Sequence, residues 1–245
     1  MAIAIFILRL VVCALASPMY VLHFLGVWNW FCKRWFPYFM VKFSVIYNEQ
    51  MASKKRELFS TLQEFAGPSG KLSLLEVGCG TGTNFKFYPP GCRVTCVDPN
   101  PNFEKFLIKS VAENRHLQFE QFVVAPGENM HQVADGSVDV VVCTLVLCSV
   151  KNQEQILREV CRVLRPGGAF YFMEHVSAER STWNYFWQQV LDPAWFLLFD
   201  GCELTRESWK ALERASFSKL KLQHIQAPLS WELVRPHIYG KKEQL

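Results

Sequence analysis

The chain has 245 residues, half of them apolar and a fifth charged, with a net charge of +4; that is enough apolar bulk to bury a full core as one α/β domain plus an appendage. The charge is uneven, since residues 1–60 carry seven Lys and Arg against Glu49 and Glu57, a net +5, which leaves the rest of the chain at −1. A basic collar beside an apolar segment suits an anionic membrane surface, and the absence of a basic face on the remaining chain argues against a nucleic-acid partner.

Residues 1–31 are almost continuously apolar, interrupted only by Arg9, His23 and Asn29, and exceed the roughly 20 residues that a spanning helix needs. Ala14-Leu15-Ala16 imitates a signal-peptidase site. No basic region precedes it, however, and apolar residues run well past it, so a retained membrane anchor over residues 1–35 is expected. Pro18 sits mid-segment, where it would kink a spanning helix or mark the bend of a hairpin embedded in one leaflet. Trp28, Trp30 and Trp35 beside Lys33 and Arg34 read as an interfacial belt with its positive charge on the cytosolic side. Residues 36–70 form a membrane-proximal segment, with apolar residues at helical spacing that predict two short helices. Gly67-Pro68-Ser69-Gly70 is read as the stop before a catalytic domain over residues 71–245. On this reading residues 1–31 are dispensable for ligand binding.

The organising stretch is residues 74–84, LLEVGCGTGTN. Leu74, Leu75 and Val77 suit a central parallel strand, and Gly78, Gly80 and Gly82 allow a tight turn whose N–H groups approach a ligand at the start of a helix. Glu76 before the first glycine would repel a pyrophosphate and favours a cationic ligand. Residues 94–98 read as the second strand, ending at Asp98, 20 residues after Gly78 and in the ribose-binding position. A helix over 102–114 follows, then a third strand over 119–124, a loop through Glu128 and Asn129, and an apolar fourth strand over 139–146. Amphipathic spacing predicts a helix over 153–164, stopped by Arg165-Pro166-Gly167-Gly168 before a fifth strand over 169–175. The aromatic stretch 183–199 follows, dense enough to supply part of an apolar substrate pocket or to touch a bilayer. Residues 219–226 and 233–239 read as closing strands in a hairpin-like edge. The alternation predicts a doubly wound, mostly parallel seven-stranded sheet with its ligand at the carboxyl ends of the strands.

Nine cysteines are scattered without C-x-x-C or Cys/His metal spacing. Free thiols in a reducing compartment fit this pattern, and no metal site is expected.

E-V-G-C-G-T-G, the acidic end of the second strand and LRPGG at 164–168 resemble the class I S-adenosylmethionine-dependent methyltransferases. The resemblance implies S-adenosylmethionine as cofactor, with contacts from Glu76, Gly78, Cys79, Gly80, Gly82, Asp98, Pro99 and Asn100. It places the adenine amino group at Glu128 or Asn129, and the carboxyl end of the fourth strand, residues 143–147 with Cys143 and Leu145, is expected to line the floor of the site. It narrows further over FCKRWFPYF, YNEQMASKKRELF, LVLCSVKNQEQILREVCRVLRPGGAFYFMEHV and SWELVRPHIYG, which are similar to the methyltransferase-like protein 7 family of membrane-associated thiol S-methyltransferases. That implies methyl transfer to small, often lipophilic alkyl thiols at the cytosolic face of the endoplasmic reticulum membrane and on lipid droplets; the sequence shows no sign of an obligate protein partner. His175, ending the fifth strand, is the candidate base, although a thiolate needs little such help. The competing expectations are a methyltransferase acting on a membrane lipid or quinone, and a lipid-droplet recruitment protein that keeps the cofactor fold.

Overall fold

The computed structural model describes residues 2–67 and 70–244; the stop read at Pro68 and Ser69 lies outside the described residues. Seven strands, β1 (Ser73–Val77), β2 (Arg93–Asp98), β3 (Gln118–Val124), β4 (Val138–Thr144), β5 (Leu164–His175), β6 (Lys219–Gln226) and β7 (Pro236–Glu243), form one sheet in the order β3-β2-β1-β4-β5-β7-β6. The first five strands are parallel and β7 runs antiparallel to both its neighbours. Because successive strand residues face opposite sides, the apolar runs of β1, β4 and β5 feed two cores. Leu74, Val140 and Tyr171 face one side, and Leu75, Val141 and Phe170 face the other.

The helices are α1 (Ala2–Leu15), α2 (Ser17–Phe24), α3 (Val27–Phe59), α4 (Glu104–Glu113), α5 (Gln153–Val163), α6 (Trp183–Leu198) and α7 (Ser208–Arg214). Met51, Leu58 and Phe59 of α3 cover the first core. Ile156, Leu157 and Val160 of α5, with Ala211 and Leu212 of α7, cover the second. The order reverses at β1, whose neighbours are β2 and β4, and such a switch point leaves a crevice at the carboxyl ends of the strands.

Several expectations need correction. Residues 37–59 belong to one long helix, not two short ones, and Pro37 lies inside it. Proline removes the hydrogen bond to the carbonyl four residues back; here the Lys33 carbonyl accepts instead from Asn100 Nδ2 at 2.9 Å, so α3 continues. The glycine turn does not open into a helix but ends in a short 3-10 turn at Phe85–Phe87. Gly78, Gly80 and Gly82 all take positive φ, which cannot propagate a right-handed helix, and Pro89-Pro90 follows at once. LRPGG is not a stop between helix and strand. It is an irregularity inside β5, whose partners on β4 jump from Val138–Leu164 to Val140–Ala169. The last strand is shifted because Leu233 lies in a 3-10 turn at Glu232–Val234, and β7 begins only at Pro236.

The N-terminal apolar stretch is three helical pieces. Among the described residues no single helix is long and apolar enough to cross a membrane; α1 and α2 together pass that test by length and composition but are bent by 60°. α1 and α2 lie against α6, where Tyr20 of α2 donates its hydroxyl to the Pro193 carbonyl at 2.9 Å, and Trp28 Nε1 at the start of α3 donates to the Leu197 carbonyl at 2.7 Å.

Candidate active site

A cavity of about 790 Å³ opens where β1, β2, β4 and β5 end, roofed by the inner face of α3 and by the carboxyl end of α6. This is within the range of small-molecule sites. Gly78 takes φ 65 at the end of β1, and a Cβ there would sit 2.2 Å from Val146 Cγ2, so only glycine fits. Its turn carries the Gly80 N–H to Asp98, whose Oδ2 accepts that bond at 3.0 Å while Oδ1 accepts from the Asn100 N–H at 2.9 Å. Asp98 is 5% exposed; burial pushes its carboxyl up to about 7 against the pull of those two N–H groups.

Val77, Gly78, Cys79, Gly80, Asp98 and Pro99 line this end of the cavity, and Glu128, Leu145 and His175 line it farther along. Five other residues singled out in the sequence lie behind the wall or off it. Asn100 caps the turn before α4, with its Oδ1 accepting from the Asn102 N–H at 3.1 Å. Gly82 and Cys143 are packing positions, Cys143 fully buried. Asn129 is exposed and does not line the cavity, whereas Glu128 lines it and accepts from the Lys151 N–H at 2.8 Å. Glu76 is buried, with Oε1 accepting from Asn84 Nδ2 at 2.8 Å and Oε2 from the Tyr88 hydroxyl at 2.9 Å.

That carboxylate belongs to a network that sequence reasoning missed. Lys55 of α3 is 1% exposed and donates to Asn48 Oδ1 and Asn84 Oδ1, both at 2.7 Å. Asn84 thus links a buried cation to a buried anion. Burial pushes Glu76 up to about 7 and Lys55 down to about 7. Lys55 also lines the cavity, and Asn48 pins α3 to the glycine turn through the Thr83 carbonyl at 2.8 Å. The signal was present only as a lysine on the apolar face of a helix.

A second missed residue is Glu174, fully buried on β5. Its Oε2 accepts from the Val146 and Leu147 N–H groups at 2.9 and 3.1 Å. This clamp holds Leu145 in the left-handed region at φ 58, a conformation that costs a non-glycine residue of order 1–3 kcal/mol and persists only when its surroundings impose it. β4 consequently ends at Thr144, two residues earlier than expected. Burial raises the Glu174 carboxyl to about 8.

At the β5 end, His175 is paired in register with His237 of β7, and both line the cavity. The His237 Nδ1–H faces the Arg235 carbonyl at 3.2 Å, leaving Nε2 to accept from the Tyr47 hydroxyl at 3.1 Å. Burial drives its pKa down to about 3, so this imidazole is neutral. His175 Nε2 lies 3.0 Å from Cys202 Sγ, and its buried Nδ1 has no hydrogen-bond partner among the described residues. Aromatic rings of α3 and α6 complete this end: Phe39 packs on Phe43 and Phe199, and Trp195 on Phe199.

The residues fit S-adenosylmethionine. The glycine turn lines the cavity at Gly78 and Gly80, a buried carboxylate stands ready for hydroxyls at Asp98, and the cavity continues along aromatic side chains. Comparison with known proteins agrees. A methyltransferase domain family model matches residues 75–172. The chain is 88% identical over 240 residues to human thiol S-methyltransferase TMT1A, covering 98% of each, and 58% identical over 235 residues to human thiol S-methyltransferase TMT1B, covering 96% of each. Among solved structures, geranyl diphosphate C-methyltransferase from Streptomyces coelicolor A3(2), in complex with Mg2+, geranyl diphosphate and S-adenosyl-L-homocysteine, superposes with a TM-score of 0.60 at 14% identity over 80% of each chain, a likeness of fold. Its fold, its cofactor cradle and its full-length likeness to these relatives together place the chain in the thiol S-methyltransferase family, the methyltransferase-like protein 7 group of class I S-adenosylmethionine-dependent methyltransferases.

Proposed function

We propose that this chain transfers the methyl group of S-adenosylmethionine to the sulfur of small, lipophilic alkyl thiols, working at the cytosolic face of the endoplasmic reticulum membrane and on lipid droplets. The observation that carries this reading is the aromatic wall of the cavity, to which Phe36, Phe39, Phe43, Trp195, Phe199 and Trp231 contribute. Such a wall binds an alkyl tail and offers little to a strongly polar acceptor. The names of the relatives, thiol S-methyltransferases over nearly the whole length, support sulfur as the acceptor atom.

Bound here, the cofactor supplies a methyl group made electrophilic by the sulfonium that carries it. Asp98 would hold the ribose hydroxyls, Glu128 the adenine amino group and Lys55 the carboxylate of the methionine portion. The aromatic wall holds the acceptor in place and excludes water, so the reacting sulfur is oriented before the bond forms. His175 accepts the thiol proton at Nδ1, and the thiolate is the nucleophile.

The membrane part of the reading rests on α1 and α2. Phe6 and Phe24 are 64% and 89% exposed, and Trp183 of the neighbouring α6 is 73% exposed. At about 1.5 Å per residue α1 is roughly 21 Å long, short of a hydrocarbon core of about 30 Å, and it lies against α6. A bent pair seated in one leaflet, with tryptophans at the interface, suits these facts better than a span. Phe6→Glu with Phe24→Glu should release the protein from phospholipid vesicles without loss of cofactor binding; unchanged flotation would remove α1–α2 as the anchor. Because α3 lines the cavity from Lys33 onward and Trp28 is tied to α6, a truncation at residue 31 would damage the site, contrary to the sequence expectation.

The catalytic reading is tested with purified protein, S-adenosylmethionine and a panel of short alkyl thiols, hydrophilic thiols, quinols and phospholipids. Alkyl thiols should be methylated, with kcat/KM rising with chain length. Methylation of quinols or phospholipids but not thiols would transfer the activity to a lipid acceptor. Cofactor binding without any methylation would leave a recruitment role.

A further inference from the structure

Three side chains far apart in sequence meet at the β5 end of the cavity and have no assigned role as a group. Cys148 follows β4, His175 ends β5 and Cys202 follows α6, each 27 positions from the next. Cys202 Sγ is 3.0 Å from His175 Nε2 and 3.5 Å from Cys148 Sγ, and the three donor atoms all lie within 4.8 Å of one another. Cys148 and His175 are 1% and 4% exposed. The loops that carry the sulfurs are bonded to each other, Glu203 N–H to the Cys148 carbonyl at 3.0 Å, so the pair is held together by backbone. Trp195 Nε1 donates to Cys202 Sγ at 3.3 Å, the kind of outer contact that orients a sulfur ligand and stabilises its charged form.

We propose that Cys148, His175 and Cys202 form a binding site for one soft, thiophilic d10 cation, Zn2+ or Cu+, with a further coordination position open to the cavity. Two thiolates and an imidazole are the donor set such cations select. The spacing suits it: two sulfurs at zinc-bond length span about 3.8 Å in a tetrahedral site, within a few tenths of an ångström of the pair here, while the imidazole would withdraw by about 0.5 Å. The balance is simple. Each thiol loses one proton to solvent as its sulfur bonds the metal, no electrons are exchanged, and two thiolates offset the two charges of Zn2+ in a buried setting. Coordination at His175 Nε2 fixes the ring proton on Nδ1, so a loaded chain loses His175 as a proton acceptor.

The test is a titration of the full-length protein, reduced and metal-free, with Zn2+ and separately with Cu+ against a chromophoric chelator. One equivalent of one of these ions should bind tightly, and the paired Cys148→Ser, Cys202→Ser variant should lose affinity by more than the roughly 10–100-fold that loss of an outer-shell partner costs. Cys161→Ser, on a half-exposed thiol away from the cluster, should bind as the parent does. Should the paired variant misfold, the unaltered protein still decides. Zn2+ or Cu+ should protect Cys148 and Cys202, and not Cys161, from a small alkylating reagent, read by peptide mass spectrometry. Absence of a tight equivalent of either ion, or alkylation of Cys148 and Cys202 at the same rate with and without metal, overturns the site. The effect on catalysis rests on the proton-accepting role proposed above: the loaded chain should methylate thiols at the rate of metal-free His175→Ala, and a loaded chain as fast as the unloaded one removes that coupling. The titration involves no acceptor thiol, so site and function fail separately.

Discussion

At the β1–β2 end of the cavity the polar groups are tied down by short local contacts: Asp98 accepts from Gly80 and Asn100, and Asn84 bridges Lys55 and Glu76. At the β5 end the wall is aromatic rings and sulfur, and His175 Nδ1 has no partner among the described residues. The first end is built chiefly from one continuous stretch, residues 73–100, and the second from α3, α6 and three strand ends that only the fold brings together. Each kind of change should therefore act at its own end. A substitution in the cradle should cost cofactor affinity, because an already committed hydrogen-bond pattern is broken. One at the acceptor end should redistribute rate and substrate preference with the cofactor still bound.

The sharpest way to break this contrast is Gly78→Ala. Left-handed backbone costs a residue with a Cβ about 1–2 kcal/mol, and here the methyl would also meet Val146 at 2.2 Å. The turn would have to move away from Asp98, and cofactor affinity should drop about 100-fold, or about 2.7 kcal/mol. Gly91→Ala is the matched control: φ is 76, yet nothing lies within 4 Å of the added carbon. It should lower the melting temperature slightly and leave binding unchanged. Calorimetric titration of the two variants decides. Equal losses of affinity would mean that backbone strain anywhere in this half is transmitted to the site, and the cradle would not be a local device.

Asp98→Ala should cost as much or less: the lower part of the roughly 1.5–3 kcal/mol of a charged hydrogen bond, or about 10- to 100-fold in affinity. Its pH behaviour sharpens the prediction. Burial raises the Asp98 pKa from 3.8 to about 7, so the unfolded chain ionises first, and stability falls as pH rises from near 4 through about 7. Ribose hydroxyls donate to the ionised form, so cofactor affinity should do the opposite and rise from pH 6 to pH 8, by at most about tenfold per pH unit below the folded pKa. The alanine variant should show neither slope at this group. A variant whose affinity keeps the parent's pH dependence would assign the titration to Glu76 or Lys55 instead.

The same contrast explains what could be read from the sequence. The sheet and the cradle were legible because their signals are local: apolar runs for β1 and β4, the glycine spacing, and an acidic residue 20 positions on. The missing helix after Gly82 was not, since a glycine-rich turn before a helix and one before a 3-10 turn share the same letters. Nor was the continuity of α3, because Pro37 normally interrupts a helix and the group that takes up the freed Lys33 carbonyl is Asn100, 67 residues away. Glu174 resembles any acidic residue near a strand end until Leu145 is seen at φ 58. Cys148 and Cys202 show no metal spacing because their convergence is produced by two loops crossing.

The smallest expected effect lies at the acceptor end, in His175→Ala. A general base typically contributes about 10² to 10⁴-fold when the reaction depends on it, but a thiol of low pKa arrives already ionised and needs no such help. The loss of kcat should therefore be graded and stay below the range of an obligatory base: close to none for an acidic aryl thiol, and up to about tenfold for a weakly acidic alkyl thiol that must surrender its proton in the site. Cofactor affinity should stay at the parent value, because His175 lies beyond the Asp98 end. In the parent, the rate with each thiol should rise with pH until that thiol is ionised. Steady-state kinetics on a series of thiols of graded pKa, with parent and variant side by side, measures both trends. A variant that loses the same large factor with every thiol would make His175 an obligatory base, and one that loses cofactor affinity as well would join the two ends of the cavity into a single unit.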